Sequence, residues 1–328
     1  MSMFGILGIA LLAAWGPQDT GAHWITGGMP AQAGAWPSIV SIQAEEVHKC
    51  TGVLVAPTVV LTAGHCDAPE LDTVFVGGTD LWDFTTGEVI PIASRVRYPE
   101  SWASYDLTLV ELTEPATALP SPIARACALP HLKDGATVEL VGFGATDVWG
   151  TIATHVLMEA RTTITDADCS REDAGCHIRV QPGGEFIAGG NGVDTCTGDS
   201  GGPAFLWTPW GEPVLAGLTS RAASPSETPC GDGGIYVRAD AVADWVETTS
   251  GIQLTDPDCD ADPIIARDPS ASPRPWSDTS IDTGALPERP SGPAGGCGCA
   301  SQPAGPPLRW IAFSVALIAC VRFRAFPT

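Results

Sequence analysis

The sequence predicts an all-β fold of the sandwich or barrel type, with one helix near the end of the folded region. Short runs rich in apolar and β-branched residues recur along the 328-residue chain, as expected of buried or half-buried strands. Turn residues separate these runs, since the chain holds 37 glycines and 29 prolines. Such spacing is typical of sandwiches and barrels, and periodicity alone does not choose between them.

Five segments carry this prediction. Residues 36–42 alternate between apolar and polar side chains after a turn, and residues 58–62 are mostly β-branched, so both predict strands. Residues 137–144 and 213–220 follow the same pattern in the second half of the chain. The segment 239–247 has no glycine or proline and carries apolar side chains at helical spacing, so it predicts a helix.

The composition is strongly acidic, with 38 Asp and Glu residues against 16 Lys and Arg residues and a net charge of −22. This charge argues against nucleic-acid binding, because a phosphate backbone needs a basic face. It fits an acidic exported protein, and a mild steering of cationic substrates is the alternative. Eleven cysteines predict an oxidising compartment. No cysteine and histidine cluster has zinc spacing, so we expect neither a metal nor a cofactor.

Three short motifs carry the chemistry. Residues 194–203 (DTCTGDSGGP) place Ser200 on a glycine-rich turn, where backbone N–H groups are free to face an oxyanion. Residues 61–66 (LTAGHC) contain His65, and Asp106 precedes the apolar run LTLVEL. A serine hydroxyl is a weak nucleophile that requires an adjacent base, which a histidine supplies. The chain order His, Asp, Ser differs from that of subtilisins and α/β-hydrolases.

With these motifs the sequence resembles the trypsin-like (chymotrypsin-fold) serine peptidase family from about residue 25 to about residue 251. The resemblance implies a protease domain at 25–255. It consists of two packed six-stranded antiparallel barrels, one over about 25–132 and one over about 133–250, with a C-terminal helix. The first barrel would carry the histidine and the aspartate and the second the serine, with catalysis in the cleft between them.

The resemblance also assigns roles to the residues that match the family motifs. His65 would take the proton of Ser200 and then protonate the leaving amine, while Asp106 orients the imidazole and stabilises the imidazolium. The backbone N–H groups of Gly198 and Ser200 would form the oxyanion hole. Ser220 matches the family position that hydrogen-bonds the aspartate.

The same resemblance implies a preference for Arg or Lys before the scissile bond. Asp194 matches the floor of the primary specificity pocket, where an unpaired buried carboxylate favours a cationic side chain. Gly234 matches one wall of this pocket. Ser220 is followed by Arg221 and Ala222, where the family commonly has an aromatic residue and a glycine, so the secondary subsites are open. An exposed loop carboxylate is the alternative reading of the aspartate.

An activation signal precedes the domain. The segment ITGG at Ile25 resembles the start of mature family members, whose new amino group pairs with the acid before the serine, here Asp199. Trp24 precedes the cut, and a protease that prefers Arg or Lys should cleave there poorly. We therefore expect that another protease activates the chain.

Eight cysteines are sorted by the same resemblance. Two family disulfides would brace the histidine loop and the specificity pocket: Cys50–Cys66 and Cys196–Cys230. Cys169 matches a family half-cystine whose usual partner is missing, and Cys176 is the local substitute that we expect. Cys127 and Cys259 are then left, and their pairing would clamp the C-terminal extension to the body. Free thiols are the alternative for the last two pairs.

The N-terminal end predicts an export signal. Residues 4–14 form an apolar run that is too short to span a bilayer and fits a signal-peptide core, although no basic residue precedes it. We expect a signal peptide over residues 1–22 and a short pro-segment to residue 24. A buried N-terminal strand or helix is the alternative.

The C-terminal end predicts a linker and a sorting signal. Residues 256–307 are rich in Pro, Gly, Ser, Asp and Thr and predict a flexible linker. Residues 295–328 combine a Gly-Cys motif, an apolar stretch and a basic end, and resemble the sorting signal of myxobacteria and their relatives. The resemblance implies processing and possible lipid attachment at Cys297 or Cys299, and attachment to the membrane or cell surface. A retained membrane anchor is the alternative.

The sequence thus predicts a secreted or surface-displayed serine endopeptidase of a bacterium, extracellular or at the outer membrane, made as a zymogen. The expected partners are polypeptide substrates, an activating protease and a sorting protease, with no nucleic acid. No oligomerisation signal stands out, so a monomer is expected. The alternatives are a binding or adhesion module on an inactive protease scaffold, and an active protease of broader specificity.

Overall fold

The computed structural model describes residues 25–260. The predicted signal peptide, most of the linker and the sorting tail lie outside the described residues. Thirteen strands and one α-helix occur in residues 25–260, in this order: β1 Met29–Pro30, β2 Ile39–Ala44, β3 Val47–Ala56, β4 Val59–Thr62, β5 Thr73–Val76, β6 Glu88–Arg97, β7 Thr108–Leu112, β8 Thr137–Gly142, β9 Met158–Asp166, β10 Glu185–Ala188, β11 Pro203–Trp207, β12 Pro213–Ala222, β13 Gly234–Arg238 and α1 Ala239–Ser250. None of the helices in this part of the chain is long and apolar enough to cross a membrane.

The first barrel is closed by six antiparallel strands in the order β2-β3-β4-β7-β6-β5. Its interior is filled by aliphatic side chains, because alternate residues of each strand point inward. Val40, Val60 and Val74 are fully buried there. The predicted strand at 36–42 begins only at residue 39, because the chain before it still forms a turn.

The second barrel is closed by the strands β8, β9, β10, β13, β12 and β11, since β8 pairs with both β9 and β11. The predicted strands at 137–144 and 213–220 correspond to β8 and β12. The short strand Met29–Pro30 pairs with β9 and so belongs to this barrel. The division from the sequence had placed residues 25–132 in the first barrel. With this refinement, the prediction of two six-stranded antiparallel barrels and a C-terminal helix is confirmed.

An apolar layer joins the two barrels. It contains residues of the first barrel, such as Leu107 and Leu109, and residues of the second, such as Val141. The indole of Trp36 stacks on the ring of Phe205 with centroids 4.9 Å apart. Burial of this layer holds the barrels in one orientation, which a site assembled from both of them requires.

The helix α1 ends the domain and extends three residues beyond the predicted segment 239–247. Its buried face consists of Val242, Ala243 and Val246 together with its first residue. Gly251 ends the helix with a φ of 70°, the left-handed conformation that favours glycine. The helix therefore packs on the apolar layer by one face and ends where its sequence allows.

Four disulfide bonds join the eight cysteines of the described residues, in the four combinations expected from the resemblance: Cys50–Cys66, Cys127–Cys259, Cys169–Cys176 and Cys196–Cys230. Their sequence separations differ widely, from 7 residues for Cys169–Cys176 to 132 residues for Cys127–Cys259. The longest of these loops ties the connection between the barrels to the segment that follows α1.

Candidate active site

The imidazole of His65 and the carboxylate of Asp106 form a doubly bonded pair at the edge of the first barrel. His65 lies in a 3₁₀ turn directly after β4, and Asp106 lies just before β7. The His65 Nδ1 atom is 2.8 Å from Asp106 Oδ2, and the His65 backbone N–H donates to Oδ1 over 2.8 Å. The paired strands β4 and β7 thus set the position of both residues. The opposite ring nitrogen, Nε2, remains available for proton transfer.

The charge of this carboxylate is favoured by its hydrogen bonds. Burial alone would raise the pKa of Asp106, but the hydrogen bonds and charge of His65 and the Ser220 hydroxyl outweigh it, so this pKa is lowered. Ser220 Oγ donates to Asp106 Oδ2 over 2.8 Å. A Cβ atom on Gly64 would lie 2.9 Å from Asp106 Oδ1 and 2.8 Å from the next backbone nitrogen, so only glycine fits before the histidine.

Ser200 lies on a tight turn of the second barrel that packs against the strand leading to His65. A Cβ atom on Gly201 would lie 2.2 Å from Thr62 Oγ1, and the Thr51 N–H donates to the Ser200 carbonyl over 3.0 Å. Within residues 25–260, no hydrogen bond joins the Ser200 hydroxyl to His65. In unliganded enzymes such a bond often forms only when substrate binds, so this spacing does not exclude proton transfer.

The two predicted oxyanion donors are oriented by the carbonyls of their own peptide groups. The Ala145 N–H donates to Thr197 O over 2.7 Å, and the Gly202 N–H donates to Asp199 O over 2.7 Å. Because N–H and C=O point in opposite directions in a trans peptide, these bonds turn the Gly198 and Ser200 N–H groups the other way. Neither of these two groups donates a hydrogen bond among the described residues.

A histidine that the sequence gave no role supports this turn. His48 Nε2 lies 3.1 Å from the Gly198 carbonyl, and its Nδ1 lies 2.8 Å from Ser41 Oγ. Burial lowers the pKa of His48 to about 4, although the hydrogen bond to Gly198 opposes the shift. The ring is therefore neutral at pH 7 and links the first barrel to the oxyanion turn. No local motif marks this residue, because its partner lies 150 positions away in the chain.

A cavity of about 150 Å³ opens beside Ser200 and reaches Asp194. Asp194 is only 2% exposed, which disagrees with the alternative reading of an exposed loop carboxylate. Its oxygens accept hydrogen bonds from the N–H groups of Thr195, Gly231 and Gly233. Burial raises the pKa of Asp194 to about 6, although these hydrogen bonds oppose the shift.

The walls of this cavity come from two paired strands. Ala222 at the end of β12 pairs with Gly234 at the start of β13, and both line the cavity together with Ser220. A Cβ atom on Gly234 would lie 3.1 Å from Asp194 Oδ1, so a larger residue would narrow the path to the carboxylate. Ala222 is exposed, so its methyl group lies at the mouth of the cavity.

Asp199 lies in the interior next to the serine. It is fully buried, and the N–H groups of Cys196 and Gly144 donate to its two oxygens over 2.9 Å and 2.7 Å. Among the described residues no cation pairs with it, and burial raises the pKa of Asp199 to about 7 although these hydrogen bonds oppose the shift. Ile25 is also fully buried and packs on Met158. In the uncleaved chain its nitrogen is part of a peptide bond and carries no charge.

Within residues 25–260 no group of His, Cys, Asp and Glu side chains is arranged to hold a metal ion. The candidate chemistry therefore rests on the hydroxyl, the imidazole, the carboxylates and the backbone N–H groups described above.

Two six-stranded antiparallel barrels, with a His–Asp pair on one and a serine turn on the other, define the chymotrypsin-fold class of proteins. The chain belongs to the trypsin family, whose sequence model matches residues 25–246.

Three curated relatives are similar to the chain. Human serine protease 56 is 34% identical over 273 residues, which is 76% of this chain and 42% of that protein. Mouse serine protease 56 is 32% identical over 73% of this chain and 41% of its own length. Rat transmembrane protease serine 9 is 31% identical over 68% of this chain and 21% of its own length. The chain thus spans less than half the length of these relatives.

A solved structure is similar along its whole length. Neuropsin, a serine protease expressed in the limbic system of mouse brain, has a TM-score of 0.58 and 26% sequence identity to this chain. The alignment covers 68% of this chain and 98% of neuropsin. The barrels are therefore common to both proteins.

Proposed function

We propose that the chain is a serine endopeptidase that hydrolyses peptide bonds through an acyl-enzyme. The observation that carries this proposal is the hydrogen-bonded His65–Asp106 pair beside the serine turn, with two unengaged N–H groups at that turn. Membership of the trypsin family supports it.

The reaction follows from the positions of these groups. Ser200 Oγ attacks the scissile carbonyl carbon while His65 Nε2 takes its proton, and the carbonyl oxygen becomes an oxyanion. The N–H groups of Gly198 and Ser200 donate to that oxyanion, an interaction in which one donor contributes about 3–4 kcal/mol. His65 then protonates the leaving amine, and a water molecule hydrolyses the acyl-enzyme with the same histidine as base.

Covalent labelling tests this activity. The full chain is cut before Ile25 and treated with an organophosphonate, which reacts with an activated serine. Labelling is expected for the wild type, and it should be lost in Ser200→Ala and strongly reduced in His65→Ala. A binding or adhesion module on an inactive scaffold, the alternative function, predicts no labelling of either protein.

We further propose that Asp194 selects Arg or Lys before the scissile bond. Its carboxylate is buried, held by three backbone N–H groups and reached from the serine through the cavity, so a substrate cation would supply its missing counter-charge. We expect Asp194→Ser to lower kcat/KM for Arg and Lys peptides at least about a hundredfold. Glu227→Gln, which changes an exposed carboxylate, serves as the matched control. Equal rates for peptides that differ only at this substrate position would instead favour the broader specificity.

We also propose that the chain is a zymogen that another protease activates by cutting after Trp24. The new amino group would pair with Asp199, which is buried without a cation in the uncleaved chain. Wild type and Ser200→Ala, each incubated alone, should both remain uncut, and a protease that cleaves after aromatic residues should cut both. A cut in the isolated wild type but not in Ser200→Ala would instead show self-activation.

Export and surface display complete the proposal. The signal peptide at residues 1–22 and the processing at Cys297 or Cys299 lie outside the described residues, and they rest on the sequence pattern alone. Mass spectrometry of the mature protein from its bacterial host should find residues 1–24 missing and the chain ending near residue 297. A mature chain that still contains residues 300–328 would favour the retained anchor.

A further inference from the structure

Arg221 and Glu185 form a bidentate ion pair directly behind the candidate triad. The guanidinium donates from Nη1 to Glu185 Oε1 over 2.7 Å and from Nη2 to Oε2 over 2.9 Å. The Glu185 side chain is 1% exposed and also accepts the His177 backbone N–H over 2.8 Å. Two parallel bonds to a buried carboxylate fix the plane of the guanidinium as well as its place.

The hydrogen bonds of Arg221 occupy every donor that it has. A guanidinium carries five N–H groups, and the structure shows five hydrogen bonds: two to Glu185, two to the Gly175 carbonyl and one to Ser220 Oγ. No donor is left for a substrate, although the side chain lines the specificity cavity. This argues against a direct role for Arg221 in binding a substrate carboxylate or carbonyl.

The fifth bond leads to the triad. Arg221 Nη1 is 3.1 Å from Ser220 Oγ, and Ser220 Oγ is 2.8 Å from Asp106 Oδ2. A hydroxyl has one proton to donate, and an arginine can only donate. Arg221 therefore donates to the hydroxyl oxygen, and the single Ser220 proton goes to the Asp106 carboxylate.

A local irregularity of β12 makes this contact possible. In a regular strand, successive side chains point to opposite faces of the sheet. The register of β12 against β13 shifts between Thr219 and Arg221, so Ser220 lies at a bulge. Bulges re-aim side chains, and here two consecutive residues contact each other as well as the groups behind and in front of them.

We infer that Arg221 is a positioning residue of the reaction: its guanidinium, fixed by Glu185, holds the Ser220 hydroxyl as a donor to Asp106 and thereby fixes the carboxylate that orients His65. The inference rests on the proposed triad. The cation also polarises the hydroxyl, which strengthens its hydrogen bond to the carboxylate.

The test compares single and double variants of the full chain cut before Ile25, on an amide substrate. We expect Arg221→Met to lower kcat about tenfold with less than a twofold change in KM, since the Ser220 donor loses its anchor. Arg221→Met with Glu185→Gln leaves no buried carboxylate unpaired and should show the same loss of kcat. Arg221→Lys, which keeps the charge but not the fork, should lie between these variants and wild type.

Arg161→Met is the matched control. Arg161 has the same 34% side-chain exposure as Arg221 and pairs with the buried Glu139 in the same barrel, but it does not contact Ser220. It should lower the unfolding midpoint to a similar extent and leave kcat unchanged. A loss of kcat in this control equal to that of Arg221→Met would show a general effect of stability and overturn the inference.

Two other results would overturn it. Wild-type kcat in the double variant would mean that the Ser220 hydroxyl needs no anchor. A rise in KM at constant kcat would make Arg221 a substrate-binding residue. Failure of the proposed function itself looks different, because the wild type would then show no labelling and no activity that depends on Ser200.

Discussion

At the scale of single residues, the two neighbouring aspartates in the second barrel have opposite needs. Asp194 borders a cavity that a substrate side chain can enter, whereas Asp199 is closed off from solvent. Both carboxyls have a raised pKa because burial penalises their charged form. Each therefore gains from a cation that the uncleaved, unliganded chain does not supply. In the proposal, substrate supplies one and the new amino terminus the other.

The first prediction concerns the pH dependence of stability. Since the folded-state pKa of Asp199 is about 7 and its ordinary value is 3.8, the folded chain binds the extra proton between these values. This contribution to the free energy of unfolding is present below about pH 4 and is lost as pH rises through about 7. Denaturant unfolding of the uncleaved chain at pH 4 to 8 should show this fall, and Asp199→Asn should make it shallower.

Two comparisons separate this effect from a general one. Asp173→Asn changes an exposed carboxylate and should leave the fall in stability unchanged. The chain cut before Ile25 should lose part of the fall, because its amino terminus would keep Asp199 charged. An identical pH profile for the wild type and Asp199→Asn would contradict the role of this carboxyl.

At the scale of elements, β12 connects specificity and catalysis. The strand contributes Ser220 to the triad, Arg221 to the ion pair behind it and Ala222 to the cavity mouth. Its bulge lets the first two of these consecutive residues contact each other. A shift of this strand by one residue would disturb all three contacts at once.

The second prediction concerns the helix α1. Val246 is fully buried under the helix, whereas Thr248 is exposed on it. We expect Val246→Ala to lower the free energy of unfolding by about 2 kcal/mol, because it removes buried methyl groups and leaves a small cavity. Thr248→Ala should change it by less than about 0.5 kcal/mol. Denaturant titrations measure both, and equal effects would mean that the helix face is not packed as described.

The elements differ in how far the sequence reveals them. The strands β2, β4, β8 and β12 and the helix follow from local patterns of apolar and β-branched residues. The strand Glu88–Arg97 has Pro91 in its interior and mixed burial, so its period-two signal is weak. Local patterns also cannot show partners that are distant in the chain, such as Ser220 and Asp106, which are 114 residues apart.

The candidate site divides in the same way. Short motifs identify His65, Asp106 and Ser200, because each stands in a run of residues that the chemistry constrains. His48 and Glu185 have no such run, and only the closed barrels bring them to the Gly198 carbonyl and to Arg221. The departure at Arg221 is visible in the sequence, but the ion pair that explains it is not.

At the scale of the whole molecule, disulfides close loops of very different lengths. The chain-entropy relation predicts that the 132-residue loop of Cys127–Cys259 stabilises the fold by about 2–3 kcal/mol more than the 7-residue loop of Cys169–Cys176. This difference reflects how strongly each bond restricts the unfolded chain.

The third prediction tests this difference with paired substitutions. Cys127→Ser with Cys259→Ser should lower the unfolding midpoint more than Cys169→Ser with Cys176→Ser. Double substitution avoids a free thiol in either variant, and thermal unfolding measures both. A larger loss from the short loop would mean that local strain, and not chain entropy, dominates these bonds.

The same long-range bond sets the path of mechanical load through the molecule. Tension applied to the chain beyond residue 260 enters the body at Cys259 and passes covalently to Cys127. The helix Ala239–Ser250 and the strand before it lie inside the bonded loop, so they are shielded from that pull. A protein held by its tail in flowing liquid would keep its cleft intact for as long as this bond stays oxidised.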